Sequence, residues 1–217
     1  MSQVAGEIRG FLSRAEYMLS IAESCLSDVS LEDTDLPGFR RYIRREPLGV
    51  VFVIAPWKLV SCISSILSAI RLKLERSYPY LVTINSVLPA IVAGNAVLLK
   101  PSPQTPLVAE RFVGALHKAG VPKDLVQVLH LSPALTSYVV QHKLVDFVAF
   151  TGSVVGGKAV ERAAVEAAGF KGVALEVALS STVGFVMAKV LAARRQGSCV
   201  RSCGCRPHVH CRGARGW

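Results

Sequence analysis

No uninterrupted apolar run of about 18 residues occurs in the sequence, so a membrane-crossing helix is not expected. The opening stretch MSQVAGEIRGFLSRAEYML has no apolar core followed by a cleavage site, so a secretory signal is not expected either. A cytoplasmic location follows as the expectation. In that compartment the six cysteines do not make a disulfide framework. Gly-x-Gly-x-x-Gly, the commonest dinucleotide fingerprint, is absent. His117, His130 and His142 lack metal-like spacing, and no metal site is assigned. Acids are also scarce: 15 Asp and Glu stand against 25 Lys and Arg, a net charge of +10. Spread over a folded face, that excess would suggest phosphate-backbone binding. It is not spread. Residues 188–217 hold seven cations and no acid, and residues 58–77 hold a net charge of +3. The remaining body is neutral, so neither a nucleic acid nor a membrane is expected as its partner.

What is present is a strand–helix alternation. The 217 residues are 51% hydrophobic, enough to bury a sizeable core. Glu7 to Ser27 has helical spacing, with Ile8, Leu12, Ala15, Leu19 and Cys25/Leu26 near one face. An acidic loop spans Ser30 to Gly38, and Phe39 to Arg45 alternates as an exposed strand does. After the turn Pro47-Leu48-Gly49, Val50 to Ala55 is an apolar β-branched run, the pattern of a buried strand. Tyr80 to Ala93 reads as a helix stopped by Gly94-Asn95, and Ala96 to Lys100 as a strand. Thr105 is placed to cap a helix reaching about Ala119. Leu125–Leu129, Val145–Phe150 and Gly172–Glu176 are strands, separated by helices starting at Pro133 and just after Ser153. The pattern predicts an α/β fold with a doubly wound, mostly parallel sheet, and ligands of such sheets bind at the carboxyl ends of the strands.

Three loops lie at those ends. Gly152 and Ser153 stand where a strand hands over to a helix, whose N-terminal N–H groups and partial positive charge suit a pyrophosphate. Gly157 lets that helix approach ligand or sheet closely; the alternative is an ordinary capped turn. Lys100 ends a strand and can reach ribose hydroxyls or phosphate, or can be merely solvated. Trp57 follows Ala-Pro after the first buried strand and can line a pocket, or pack in the core.

The segments EPLGVVFVIAPW, YPYLVTINSVLPAIVAGNAVLLKPSPQTP, FVAFTGS and KGVALE, in this order and spacing, resemble consecutive signatures of the NAD(P)-dependent aldehyde dehydrogenase superfamily. The resemblance covers residues 4–57 and 78–176 and implies a partial, Rossmann-like cofactor-binding domain. It implies that an aldehyde is oxidised to a carboxylate with NAD or NADP: a cysteine thiolate attacks the carbonyl, hydride passes to the nicotinamide, and a glutamate activates water to release the thioester. By the same resemblance Trp57 lies by the cofactor cleft, and Lys100, with Ser102 nearby, contacts the adenosine ribose. Gly152, Ser153 and Gly157 form the pyrophosphate turn, and Glu176 is the general base. Many NAD-preferring members carry an acid three residues after the lysine; here Pro103 stands there, so NADP is tolerated.

The chain departs from that pattern in four places. It begins inside the family's N-terminal helical region. It ends before the family's catalytic domain, without a match to the nucleophilic cysteine, so this fragment is expected to be inactive alone. Beyond Glu176 the motif ELGGK becomes EVALS, and a basic Cys/Arg-rich tail, 177–217, is expected to lack a packed core. A rival reading makes the protein a non-catalytic basic one whose tail binds nucleic acid or metal. Cys199, Cys203, Cys205, His208, His210 and Cys211 are soft ligands, but irregularly spaced. Finally, Pro-Trp-Asn followed by Tyr-Pro is interrupted by Lys58–Ser77, whose apolar stripe could lie on a membrane surface or project as an amphipathic insertion. The Asn, an oxyanion donor in the family, has no counterpart.

The junction residues read as those of a retained intron; the alternative is a genuine family-specific loop. An Asn codon, AA then C or T, broken after AA by an intron beginning GT reads as Lys, then Leu where the intron continues TA or TG. An intron ending in AG followed by the leftover C or T reads as Ser. The observed junctions are Lys58-Leu59 and Ser77. Transcripts in which Lys58–Ser77 is replaced by one Asn, encoding APWNYPYL, are therefore expected on sequencing of amplified cDNA. Genomic DNA without GT and AG at the two edges overturns this.

Overall fold

The computed structural model describes residues 2–31, 39–55, 79–177 and 193–200. Five helices and eight strands lie in them. Helix α1 (Ser2–Leu26) is followed by β1 (Val29–Leu31), β2 (Phe39–Glu46) and β3 (Val50–Ala55). Then come α2 (Pro79–Val92), β4 (Ala96–Pro101), α3 (Pro106–Lys118), β5 (Val126–Val128), α4 (Pro133–Gln141), β6 (Phe147–Gly152), α5 (Val154–Val165) and β7 (Gly172–Val177). The last is β8 (Ala193–Val200). Trp57 and the whole interruption Lys58–Ser77 lie outside the described residues, as does the tail apart from Val177 and β8.

The central sheet has the order β5-β4-β3-β6-β7, and all four pairings are parallel, as the alternating pattern predicts. β3 is its middle strand because its six residues are all apolar, four of them β-branched, and tolerate burial on both faces. Val51, Val53 and Ala55 pack with α2 and α3. Phe52 and Ile54, on the opposite face, pack with Val140 of α4 and Val160 of α5. From β3 the chain winds outward through β4 to β5, then crosses to the other side for β6 and β7. The winding reverses between β3 and β6.

One polar cluster sets the amino ends of these strands. Gly94, at φ +82, ends α2, and Asn95 behind it is fully buried. Its Oδ1 accepts from the backbone N–H of Leu48 (2.6 Å) and Gly49 (3.0 Å), and its Nδ2 donates to the Ala90 carbonyl (3.1 Å). Gly49 has φ +121, and a β-carbon there would stand 2.3 Å from Asp146 Oδ2. That carboxylate oxygen accepts from Val50 N–H at 2.9 Å. Lys171 donates through Nζ to the carbonyls of His142 and Val145, and Gly172 N–H donates to the Asp146 carbonyl. The entries to β3, β4, β6 and β7 are thus tied to one another.

Two expectations need correction. Of the predicted stripe on α1, Ala15 packs on the core, but Ile8, Leu12 and Leu19 are about half exposed; α1 also buries Met18 and packs Phe11 on the core, edge-on to Phe112. Thr105 occupies the N-cap position of α3, at φ −137 and ψ 55, but its side chain makes no cap hydrogen bond. The sequence reading assigned no element to the tail; there Ala193–Val200 is a strand paired antiparallel with β2 along eight positions, in a second sheet ordered β1-β2-β8. The open edge of β2 accepts backbone hydrogen bonds from any extended segment, whatever its composition.

Asn95→Ala is expected to lower stability by about 3 kcal/mol, since it leaves buried N–H and C=O groups unpaired. Urea unfolding followed by circular dichroism measures it. A loss under about 1 kcal/mol would show that the turn is held by something else.

Candidate functional site

A cavity of about 670 Å³ opens at the carboxyl ends of β3, β4, β6 and β7, beside the point where the winding reverses. Ile54, Val140, Phe150 and Val160 form its apolar walls. Lys100, Thr136, Ser137, Thr151, Ser153 and Glu176 supply its polar groups.

α5 begins at one wall. Ser153 is its N-cap: Oγ accepts from Gly156 N–H at 3.1 Å, and the Ser153 carbonyl accepts from Gly157 N–H. No acidic residue lies in the first turn, so the positive end of the helix is not neutralised from within. The contrast with α2 is informative. Tyr80 N–H, at the start of α2, donates to Glu7 Oε1 of α1 at 2.8 Å. A carboxylate of α1 therefore already occupies the α2 terminus. Two glycines bring α5 close to the sheet. A β-carbon at Gly156 would stand 2.8 Å from Phe150 Cζ, and one at Gly157 would stand 3.1 Å from Val177 Cγ1.

Lys100 ends β4 against the same cavity. Its Nζ donates to the Pro101 carbonyl at 3.2 Å, and partial burial holds its pKa below the usual lysine value. At the β7 end, Glu176 accepts from Thr151 Oγ1 at 3.3 Å. The arrangement offers a helix terminus and a cation for phosphate or ribose, an apolar slot for a planar ring, and a carboxylate able to take a proton.

The structure brings four of the sequence-predicted residues together on this cavity: Lys100, Gly152, Ser153 and Glu176. Gly157 lies behind the lining, buried where α5 meets β7. Ser102 is also buried, its Oγ accepting from Gln104 N–H in the turn after β4. Trp57 is outside the described residues. Thr136, Ser137 and Val140 of α4 escaped the sequence reading. Their i, i+1 and i+4 spacing marks one side of a short helix, but only the crossing from β5 to β6 decides that this side faces the cavity. Of the soft tail ligands Cys199 falls on β8, and the others lie outside the described residues. Cys25 sits elsewhere, in a small gap between α1 and α2 with Met18 and Leu88.

The aldehyde dehydrogenase family model matches residues 77–188. The match begins at the far edge of the interruption and continues twelve residues past Glu176, where the motif resemblance ends. The chain is 35% identical over 164 residues to 4-trimethylaminobutyraldehyde dehydrogenase of Rattus norvegicus, covering 75% of this chain and 28% of the relative. It is similar in fold to succinic semialdehyde dehydrogenase from Streptococcus pyogenes in complex with NADP+ (TM-score 0.67, 24% identity, 81% of this chain and 33% of that one). A betaine aldehyde dehydrogenase variant from Staphylococcus aureus, in complex with NAD+, superposes with a TM-score of 0.60 at 26% identity, covering 74% of this chain and 28% of that one. The chain thus spans about a quarter to a third of the length of these relatives. With more than half of its residues inside the family match, and with the parallel sheet of these structures, the chain belongs to the aldehyde dehydrogenase family.

Proposed function

We propose that residues 1–57 and 78–176 are part of the cofactor-binding domain of an NAD(P)-dependent aldehyde dehydrogenase, an oxidoreductase turning an aldehyde into a carboxylate. The observation that carries this reading is the α5 terminus, capped by Ser153 and free of first-turn acids, opening on a cavity that Lys100 and Glu176 also line. In this reading the N–H groups around Ser153 hold the pyrophosphate, with Gly152 keeping the approach open. Lys100 donates to the ribose next to the adenine, and Ser102 shapes the turn that carries that lysine. Trp57 borders the cleft. The apolar walls of α4 and α5 take the adenine ring. The dinucleotide, when bound, accepts a hydride at its nicotinamide. Glu176 takes a proton from water in the hydrolytic half of the reaction.

Both cofactors fit. The turn from Lys100 to Thr105 carries no carboxylate, so nothing there repels a 2′-phosphate, and the two solved structures named above are complexes with NADP+ and NAD+. No cysteine of this sequence matches the family's nucleophile, so the reading assigns cofactor binding to this chain and not complete turnover. We place the protein in the cytoplasm; among the described residues no helix is long and apolar enough to cross a membrane.

The first test uses Lys100→Met. The variant is expected to bind NAD and NADP about tenfold more weakly by calorimetry, having lost one charge-assisted hydrogen bond. Its unliganded form should be no less stable than the parent. The folded-state pKa of Lys100 is lowered, so the unfolded chain binds more protons between that value and 10.5. The parent therefore gains stability as pH rises through this window, and the variant should lose that gain. Equal cofactor affinity in the two proteins removes Lys100 from the site.

The second test concerns turnover. Purified chain is expected to form no NADH or NADPH from an aldehyde above a blank, while still showing a cofactor-induced rise in melting temperature. Robust turnover would show that a cysteine here serves as nucleophile, and absence of any cofactor effect would overturn the binding assignment itself.

A further inference from the structure

Helix α1 carries an apolar seam that its own fold leaves half uncovered. On its core side Phe11 meets Phe112 of α3, and Met18 and Cys25 line a small gap against Leu88 of α2. Beside that side run Ile8, Leu12, Ala15 and Leu19, spaced four, three and four residues apart. This is the a/d spacing of a coiled-coil seam. Ile8, Leu12 and Leu19 are 48, 51 and 54% exposed, and Ala15 is only partly buried. Large apolar side chains scattered singly over a surface are ordinary, but three in line over about three turns of one helix mark an interaction face.

The seam is complementary to itself. Its spacing reads the same from either end, so a two-fold axis between Ser13 and Arg14 sets Ile8 against Leu19 of a second copy and Leu12 against Ala15 of that copy. Beside the axis a large residue then meets a small one, which lets the two helices approach closely. The charged flank agrees. Arg9 and Glu16 follow Ile8 and Ala15 on the side away from the core. Both are exposed, and neither has an ion-pair partner among the described residues. In an antiparallel pair this flank faces its own copy, so Arg9 stands by Glu16 of the second copy, twice by symmetry. A parallel pair would set the same flank against the Phe11 and Met18 side, which the fold already occupies.

We propose that α1 is a docking surface for a second copy of this chain, paired antiparallel about a two-fold axis between Ser13 and Arg14. Removal of Ile8, Leu12 and Leu19 from water drives the pairing, and the two Arg9–Glu16 contacts set its direction. The surface lies on the α2 and α3 side of the large sheet, opposite α4 and α5. It is separate from the cavity, and its existence does not depend on the cofactor assignment.

Sedimentation equilibrium of the full chain tests this, with reductant present so that cysteines do not cross-link the copies. So short a seam buries less than the roughly 1,200 Å² of a stable complex, so a weak dimer is expected, with a Kd of about 10–100 µM. Leu12→Glu should raise the Kd at least about tenfold, since it places a charge in the seam, while helix content by circular dichroism stays unchanged. Leu19→Glu should do the same from the end of the seam, which keeps the test valid if one variant folds poorly. Arg9→Glu should weaken pairing about fivefold, by turning both ion pairs into like-charge contacts, and Arg9→Glu combined with Glu16→Arg should restore it. Three results would overturn the proposal: a chain still monomeric at about 500 µM, which would leave the seam to a different protein, a dimer that survives both seam substitutions, or one that the charge exchange fails to restore.

Discussion

The buried amide of Asn95 is the contact on which the rest of the sheet depends. It accepts two backbone donors from the turn before β3 and donates to the last turn of α2. Those three bonds fix the offset between the middle strand and the helix that crosses to β4. Asp146 does the same for β6 by accepting from Val50 N–H, and the close fit of Gly49 against that carboxylate leaves no room for a side chain. A parallel sheet has no hairpin to set its register, and crossovers of a dozen residues allow slippage. Side chains at the strand entries supply the missing constraint. Since register fixes which residue ends each strand, this amino-end network decides what the carboxyl-end cavity contains.

The division of labour between helix termini follows from the same geometry. α1 lies across α2, and two polar bonds hold it there, Glu7 to Tyr80 N–H and Arg14 to Asn85. One consequence is that a carboxylate caps α2. The α5 terminus is capped only by its own serine and keeps its positive end toward the cavity. Lys100 adds a desolvated cation, and Glu176 stands across from both elements at the end of β7. A helix terminus, a lysine and a carboxylate thereby line one cleft.

Much of this was legible beforehand, and the exceptions have physical causes. The run Val50–Ala55 announced the middle strand because only a strand buried on both faces has no polar alternation. Gly94-Asn95 announced a helix stop through their conformational preferences, but the bonds from Asn95 to Leu48 and Gly49 are non-local and leave no mark in the local sequence. Of the stripe on α1 only Ala15 reaches the core while Ile8, Leu12 and Leu19 stay half exposed, because a single helix lying on a folded surface turns toward its polar anchors as well as its apolar ones. The strand at Ala193–Val200 was hidden because its composition is basic and its pairing partner lies about 150 residues away.

The sequence by itself determined the order of the strands and helices of the parallel sheet, its parallel class, the family, and the candidates Lys100, Gly152, Ser153 and Glu176. Each rests on residue types and short spacings: β-branched runs, turn glycines, a serine at a helix start, motifs in series. Only the tertiary structure decided which candidates meet. Lys100 and Ser153 are 53 positions apart in the chain, yet they line one cavity because β4 and β6 flank β3 in parallel register. Gly157 and Ser102, equally good candidates by pattern, fall behind the lining, because packing of α5 on β7 and the turn after β4 bury them. Local preference fixes what a segment becomes; the distance between segments is set by packing, which the chain expresses only when folded.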